Sequence, residues 1–298
     1  MANCANDDVG IQALCDMSAD YLGNPAFPPG VYPGNTNVRP AGHENVGLEQ
    51  ASLVEPRLAD GTVNLTTGKI GLITLGVSNG EQVSQALRQQ LIADLATSRK
   101  VRLVEACQFG QTLDLVDDPN APYWTQNVPQ ALAANGISAA QVQVAWIMQA
   151  LRYPADWPAF PDHVEVETGF WIALLHNAKA MFPNLRLAFC AGLQFQGYAQ
   201  QPTILNEPFA FEQHFAVREL LARQIAGDPD FDLSVCPWLD MSELWCNGVI
   251  ARSDGLTWTC PDANPDGVHC SQAGANKLAT WIRTGWKLDP VAQPWLLA

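Results

Sequence analysis

The sequence predicts an α/β fold, with a mostly parallel sheet of about five strands covered by helices on both faces. Three observations predict it. Short apolar runs alternate with longer helical stretches about five times from residue 68 onward. The apolar runs are near-continuous in hydrophobicity, as parallel strands buried on both faces are. The helical stretches carry their own start and stop signals.

Residues 1–67 stand apart. They are rich in Pro, Gly and Asn ("GNPAFPPGVYPGNTNVRPAGHENVG") and show little periodicity. They read as an extended arm packed on the core, not an independent domain, with residues 68–298 forming the main domain. "KIGLITLG" is the first strand. In "EQVSQALRQQLIADLA", Val83, Ala86, Leu87, Leu91 and Leu95 fall at helical spacing. "VRLVEA" and "VQVAWIM" are the second and third strands. "HVEVETGFWIALLHNAKAMF" is a helix stopped by Pro183. "LRLAFC" is the fourth strand. "EPFAFEQHFAVRELLARQIAG" is a helix with Pro208 in its first turn and Gly227 after its end. "FDLSVC" is a weaker fifth strand. "SQAGANKLATWIRTGW" is the last helix, with Ser271 as its N-cap.

Composition excludes some partners. The chain has 298 residues, 48% hydrophobic and 15% charged, so a large core is expected. A net charge of −14 repels nucleic acid and anionic membrane surfaces, and a neutral substrate fits it better than a polyanion. No run approaches the length of a transmembrane helix. Eight cysteines without a C-x-x-C suggest disulfides and an exported, secreted or periplasmic protein. Cys4 with Cys15, Cys236 with Cys246, and Cys260 with Cys270 are the local candidates. Cys107 and Cys190, at strand ends, read as free buried thiols. "MANCANDDVG" lacks the apolar segment of a signal peptide, so Met1 reads as the start of a trimmed mature chain.

The chemistry begins at "NPDGVHCSQAGANKLATWI", residues 264–282, where Asp266 stands three residues before His269. "NPDG" is also ordinary turn chemistry, so the pair needs a nucleophile elsewhere. The first strand runs into "LGVSNGEQ", placing Ser78 at a strand end before a helix, where α/β sheets bind ligands. Ser78 as a plain helix N-cap is the competing reading. A serine hydroxyl needs a base to take its proton, and His269 oriented by Asp266 supplies one. "GVSNG" matches the G-x-S-x-G elbow of α/β-hydrolases, but almost nothing upstream reads as a strand, and that fold takes its acid and histidine from different loops.

An early Ser on the first strand and a late Asp-x-x-His before the last helix resemble the SGNH (GDSL) hydrolases, over roughly residues 68–285. The resemblance implies a flavodoxin-like three-layer α/β/α sandwich and a serine esterase. Their Gly-Asp-Ser block reads Gly76-Val77-Ser78-Asn79 here, with Val in place of Asp. The second block maps to "EACQFGQT", giving Gly110 as an oxyanion donor beside the Ser78 N–H. The third block, Gly-x-Asn-Asp, is missing. Gln149, at the end of "AWIMQA", is its stand-in, with the same amide on a longer arm. The fourth block is present as Asp266 and His269. Asn79, Gln111 and Trp258 are candidate substrate contacts.

Other readings carry less. "DANPDG" matches half of an EF-hand loop, but its twelfth position is Ala273 rather than Glu, and no zinc pattern appears, so no metal or cofactor is expected. His43 and His163 are placed in loops, His176 and His214 in helices. Trp124, Trp157, Trp245 and Trp258 fall in predicted loops, where they would stack on sugar rings or simply pack. The expected activity is hydrolysis of a carboxylic ester, preferably an O-acetyl group on a polysaccharide. A short-chain ester or polyester follows closely. A non-catalytic carbohydrate-binding protein on the same fold is the rival class, motivated by the altered first and third blocks.

Overall fold

The computed structural model describes residues 1–297. Five strands form one parallel sheet: β1 (Ile70–Gly76), β2 (Val101–Glu105), β3 (Val142–Met148), β4 (Leu187–Ala191) and β5 (Trp238–Met241). Their order is β2-β1-β3-β4-β5, every pair parallel. All residues of β1, β3 and β4 are buried, which explains their unbroken apolar sequence.

The α-helices are α1 (Ala41–Ser52), α2 (Ser78–Ala93), α3 (Leu113–Val116), α4 (Val128–Asn135), α5 (Asp162–Met181), α6 (Phe209–Glu212), α7 (His214–Ala226), α8 (Gln272–Leu288) and α9 (Gln293–Leu296). From β1 the chain crosses through α2 to β2 on one side. From β3 it crosses through α5 to β4 on the other. Right-handed crossovers in opposite directions put the two helices on opposite faces. Accordingly α2 packs on α8, and α5 packs on α7. The result is a three-layer α/β/α architecture. The strand order reverses between β1 and β3, which opens a crevice at their carboxyl ends.

Local signals explain the boundaries. In α2, Val83, Ala86, Leu87 and Leu91 are buried, but Leu95 is 85% exposed. The helix has ended by then: Asp94 closes it, its carboxylate accepting the Ala96 N–H at 3.0 Å. Ser271 caps α8, its Oγ accepting the Gly274 N–H. Gly227 ends α7 in the left-handed region at φ 79°.

Several expectations change. The fifth strand is not 231–236. Asp232 makes a turn there, accepting from the Ser234 N–H and hydroxyl, and pairing with β4 begins only at Trp238. The helix over 207–227 is two helices, α6 and α7. The arm holds a helix, α1, that its low periodicity hid; α1 packs on β4, β5 and α9. His43 lies in α1, where its Nε2 meets the Leu239 carbonyl at 2.8 Å, and His163 lies in the first turn of α5. Among the described residues, no helix is long and apolar enough to cross a membrane.

One disulfide is formed, and it is none of the local pairs. Cys4 bonds Cys260, 256 residues apart. The N-terminal segment runs back over the loops at the carboxyl end of the sheet. The Asn3 N–H donates to the Tyr198 carbonyl (2.9 Å) and the Asn6 amide to the Gly197 carbonyl (2.7 Å). Cys15, Cys236, Cys246 and Cys270 are free thiols, as are Cys107 and Cys190. Spacing of ten residues along a chain does not set the distance between two Cα atoms; the path of the arm does.

Candidate active site

A cavity of about 320 Å³ opens at the crevice. Val77 and Ser78 line it from the end of β1. Phe109, Gly110 and Thr112 follow β2, while Leu151, Arg152 and Tyr153 follow β3. Leu193, Ile204 and Leu205 make an apolar wall, and Asp266 and His269 close the far side.

Ser78 is the first residue of α2, not its cap; Val77 holds the cap position with extended backbone. The Ser78 hydroxyl lies 2.9 Å from His269 Nε2. His269 Nδ1 lies 2.7 Å from Asp266 Oδ2. Asp266 Oδ1 accepts from the backbone N–H groups of Val268 (2.9 Å) and His269 (3.0 Å). Burial raises the Asp266 carboxyl, but the His269 N–H, the imidazole and the Val268 N–H outweigh it and hold it below its ordinary value. A carboxylate facing Nδ1 keeps the proton on that nitrogen, which leaves Nε2 as an acceptor for the Ser78 hydroxyl.

The turn into Ser78 depends on Gly76. Its φ is 144°, and a Cβ there would stand 1.9 Å from the Met148 carbonyl oxygen. Close packing against β3 therefore aims the β1–α2 turn at the cavity.

The approach of helix and loop is braced from below. The buried Asn79 side chain accepts from the Cys270 N–H (3.1 Å) and from the Gln194 amide (3.0 Å). Gln194 also donates to the Val268 carbonyl at 3.0 Å, and Gln196 to the same oxygen at 3.3 Å. The residue after the serine and the residues flanking the histidine thus share one buried amide network. Asn79, expected as a substrate contact, lines the cavity but is 1% exposed and spends its carbonyl on this network.

The residues expected as oxyanion donors divide. Gly110 lines the cavity at φ 75°, as the third residue of a turn closed by the Gln111 N–H onto the Gln108 carbonyl. That turn position requires positive φ, which favours glycine. Its N–H makes no backbone hydrogen bond among the described residues. The Ser78 N–H, in the first turn of α2, has no acceptor within its helix. Gln149 does not join them. It is fully buried, absent from the cavity lining, and its amide donates to the Gln111 carbonyl at 3.0 Å. The longer arm reaches the next loop instead of the pocket. Gln111 likewise offers that carbonyl to Gln149 and does not line the cavity.

The tryptophans are packing residues. Trp258, expected to touch substrate, is 1% exposed and lies outside the cavity, packed against Gly274. Trp124 and Trp245 are buried, donating to the Val116 carbonyl and to Glu207, and Trp157 donates to the Arg152 carbonyl. The aromatic groups at the mouth are instead Phe109 and Tyr153, 68% and 39% exposed. Phe109 stacks on His269 with ring centroids 5.9 Å apart. Its position beside Gly110 was the available signal for it; nothing in the sequence distinguished Arg152, Tyr153 or Gln194.

The remaining titratable candidates are engaged elsewhere. His163 bonds Glu212 at 3.1 Å, and His214 bonds Glu243 at 3.2 Å and the Leu193 carbonyl at 2.8 Å. His176 meets the Asp230 carbonyl at 2.7 Å. Asp262, from the EF-hand-like stretch, accepts from Thr259 and pairs with Lys277. Among the described residues, no three His, Cys, Asp or Glu side chains cluster as a metal site.

No protein-family model matches the chain, and no curated protein does. Among solved structures, it is similar to the C-terminal catalytic domain of Streptococcus pneumoniae peptidoglycan O-acetyltransferase A, solved with a methylsulfonyl adduct. Identity is 14%, over 76% of this chain and 95% of that one, with a TM-score of 0.37. A putative acylhydrolase from Bacteroides fragilis is 13% identical over 81% of this chain and 94% of that one, with a TM-score of 0.42. The periplasmic domain of a Salmonella ser. Paratyphi A lipopolysaccharide acetyltransferase is 10% identical over 82% and 94%, also at 0.42.

Proposed function

We propose that the protein is a serine ester hydrolase that works through an acyl-enzyme. The observation that carries this reading is the hydrogen-bonded series Ser78–His269–Asp266 on one wall of a cavity at the carboxyl end of the sheet. Ser78 Oγ attacks the ester carbonyl as His269 Nε2 takes its proton. Asp266 holds the imidazole and stabilises the imidazolium. The Ser78 and Gly110 N–H groups receive the charge on the carbonyl oxygen. The tetrahedral adduct then collapses, the ester C–O bond breaks, and His269 returns the proton to the leaving alcohol. Water repeats the sequence on the acyl-enzyme and releases the acid. Two backbone donors replace the usual three; one missing donor costs about 3 kcal/mol, or roughly a hundredfold in rate.

For the substrate, we favour an O-acetyl group on a carbohydrate. Phe109 and Tyr153 at the mouth offer ring faces for a sugar, and the apolar wall suits a short acyl group. A short-chain ester is the second reading, supported by the same wall. The Cys4–Cys260 disulfide supports an exported protein.

The test is hydrolysis of p-nitrophenyl acetate by the wild type and by Ser78→Ala, both checked for folding by circular dichroism. Turnover in the first and none in the second is expected. Equal rates would remove Ser78 as nucleophile. Silence in both would favour the carbohydrate-binding alternative.

A further inference from the structure

We infer that Arg152 is an anion-recognition residue of this cavity, and that the preferred ester carries a carboxylate close to its scissile bond. This inference rests on the ester-hydrolase reading and narrows its substrate class.

Arg152 is the single Lys or Arg among the residues lining the cavity. Arg39, Arg88, Arg223, Arg252 and Arg283 each face a carboxylate, and Arg57, Arg99, Arg102 and Arg218 donate to carbonyl or amide oxygens. Among the described residues, only the Arg152 and Arg186 guanidiniums do neither, and of these two Arg152 alone lines the cavity. The one carboxylate in the cavity lining, Asp266, is already taken by His269 and two backbone N–H groups. The counter-charge for Arg152 is therefore left for the substrate to bring.

Its placement suits that role. The guanidinium lies over the Tyr153 ring, 4.9 Å from the centroid, and Nη1 is 3.9 Å from where a Cβ on Gly110 would stand. The charge thus sits between the β2 and β3 loops, beside a proposed oxyanion donor. The backbone beneath it is fixed on both sides. The Leu151 N–H donates to the buried Gln213 side chain at 2.6 Å, the Arg152 carbonyl accepts from Trp157 at 2.8 Å, and the Tyr153 N–H donates to the Ile204 carbonyl at 2.8 Å. Tyr153 itself is held at φ 59°, a region that side chains rarely occupy. A planar guanidinium on a fixed base loses less freedom when it pairs bidentately with a carboxylate. The chain's net charge of −14 opposes a polyanion at long range, so the site suits one negative charge, not a run of them.

The carboxylate can belong to the acyl group or to the alcohol, and two pairs of esters, each differing by one carboxylate, separate these. The first is p-nitrophenyl butyrate against p-nitrophenyl hemisuccinate. The second is phenyl acetate against 3-acetoxybenzoate. Each is measured with the wild type, Arg152→Gln and Arg152→Lys, all checked for folding. The wild type should favour the charged member of one pair by about tenfold or more in kcat/KM, Arg152→Gln should abolish that preference, and Arg152→Lys should restore part of it. The pair that responds identifies the side of the ester that carries the anion. Turnover without a charge preference in either pair overturns this inference alone, as does a preference that survives Arg152→Gln. No turnover of any of the four esters removes the hydrolase reading and this inference with it.

Discussion

Asp266→Asn tests the site through a single proton. The substitution keeps a carbonyl oxygen where Oδ1 accepts the Val268 and His269 N–H groups, so the loop retains its two backbone bonds. Where Oδ2 faced His269 Nδ1 at 2.7 Å, an NH₂ now stands. Two donors cannot share that contact, so the imidazole moves its proton to Nε2 and accepts at Nδ1. Nε2 then donates to the Ser78 hydroxyl at the position where it should accept, and the base is lost. Trapping the wrong tautomer in a Ser-His-Asp site costs about 10⁴ in kcat, which is roughly 5.5 kcal/mol of transition-state stabilisation. Stability should change little, by about 1 kcal/mol, because the side chain is half exposed and one charge-assisted bond is exchanged for a neutral one. The assay pairs p-nitrophenyl acetate turnover with urea unfolding. A folded Asp266→Asn protein within about tenfold of wild-type kcat would refute the reasoning, since Asp266 would then not set the tautomer.

Three further outcomes are expected. Gln149→Ala should lower kcat by less than about tenfold, because its amide is bonded to the Gln111 carbonyl; a loss of a hundredfold or more in a folded protein would return it to the oxyanion hole. Cys4→Ser should lower stability by about 2–5 kcal/mol, since the bond closes most of the chain into one loop, while the arm's hydrogen bonds keep room-temperature turnover near the wild-type value; a loss of rate with an unchanged melting temperature would contradict this. Burial pushes the Glu207 carboxyl up to about 7, against the N–H donors of Gln196, Trp245 and Phe211. Folded Glu207 holds its proton more tightly than the unfolded chain does, so its contribution to stability is full below about 4.5 and is lost as pH rises through about 7. The urea midpoint of Glu207→Gln should therefore vary less between pH 5 and 8 than that of the wild type, and parallel curves would count against the shift.

By itself, the sequence determined the layer architecture and the placement of Ser78. The unbroken apolar runs of β1, β3 and β4 can be stable only with helices on both faces, and a serine directly after such a strand must lie at the sheet's carboxyl end. The short Asp-x-x-His spacing was legible for the same reason: three residues in a turn cannot separate far. The arm's path, the disulfide and the rim of the cavity were decided by the tertiary structure alone. Cys4 meets Cys260 because a weakly patterned arm finds its hydrogen-bond partners on the 197–198 loop, nearly two hundred residues away. Gln149 leaves the pocket because the Gln111 carbonyl is within reach of its amide. Trp258 disappears into packing against α8, while Phe109 and Arg152 arrive at the mouth from separate loops. Strand burial and turn chemistry are local and leave a pattern in the chain. Contacts between loops depend on how several ends of the sheet converge in space, and no single segment records that.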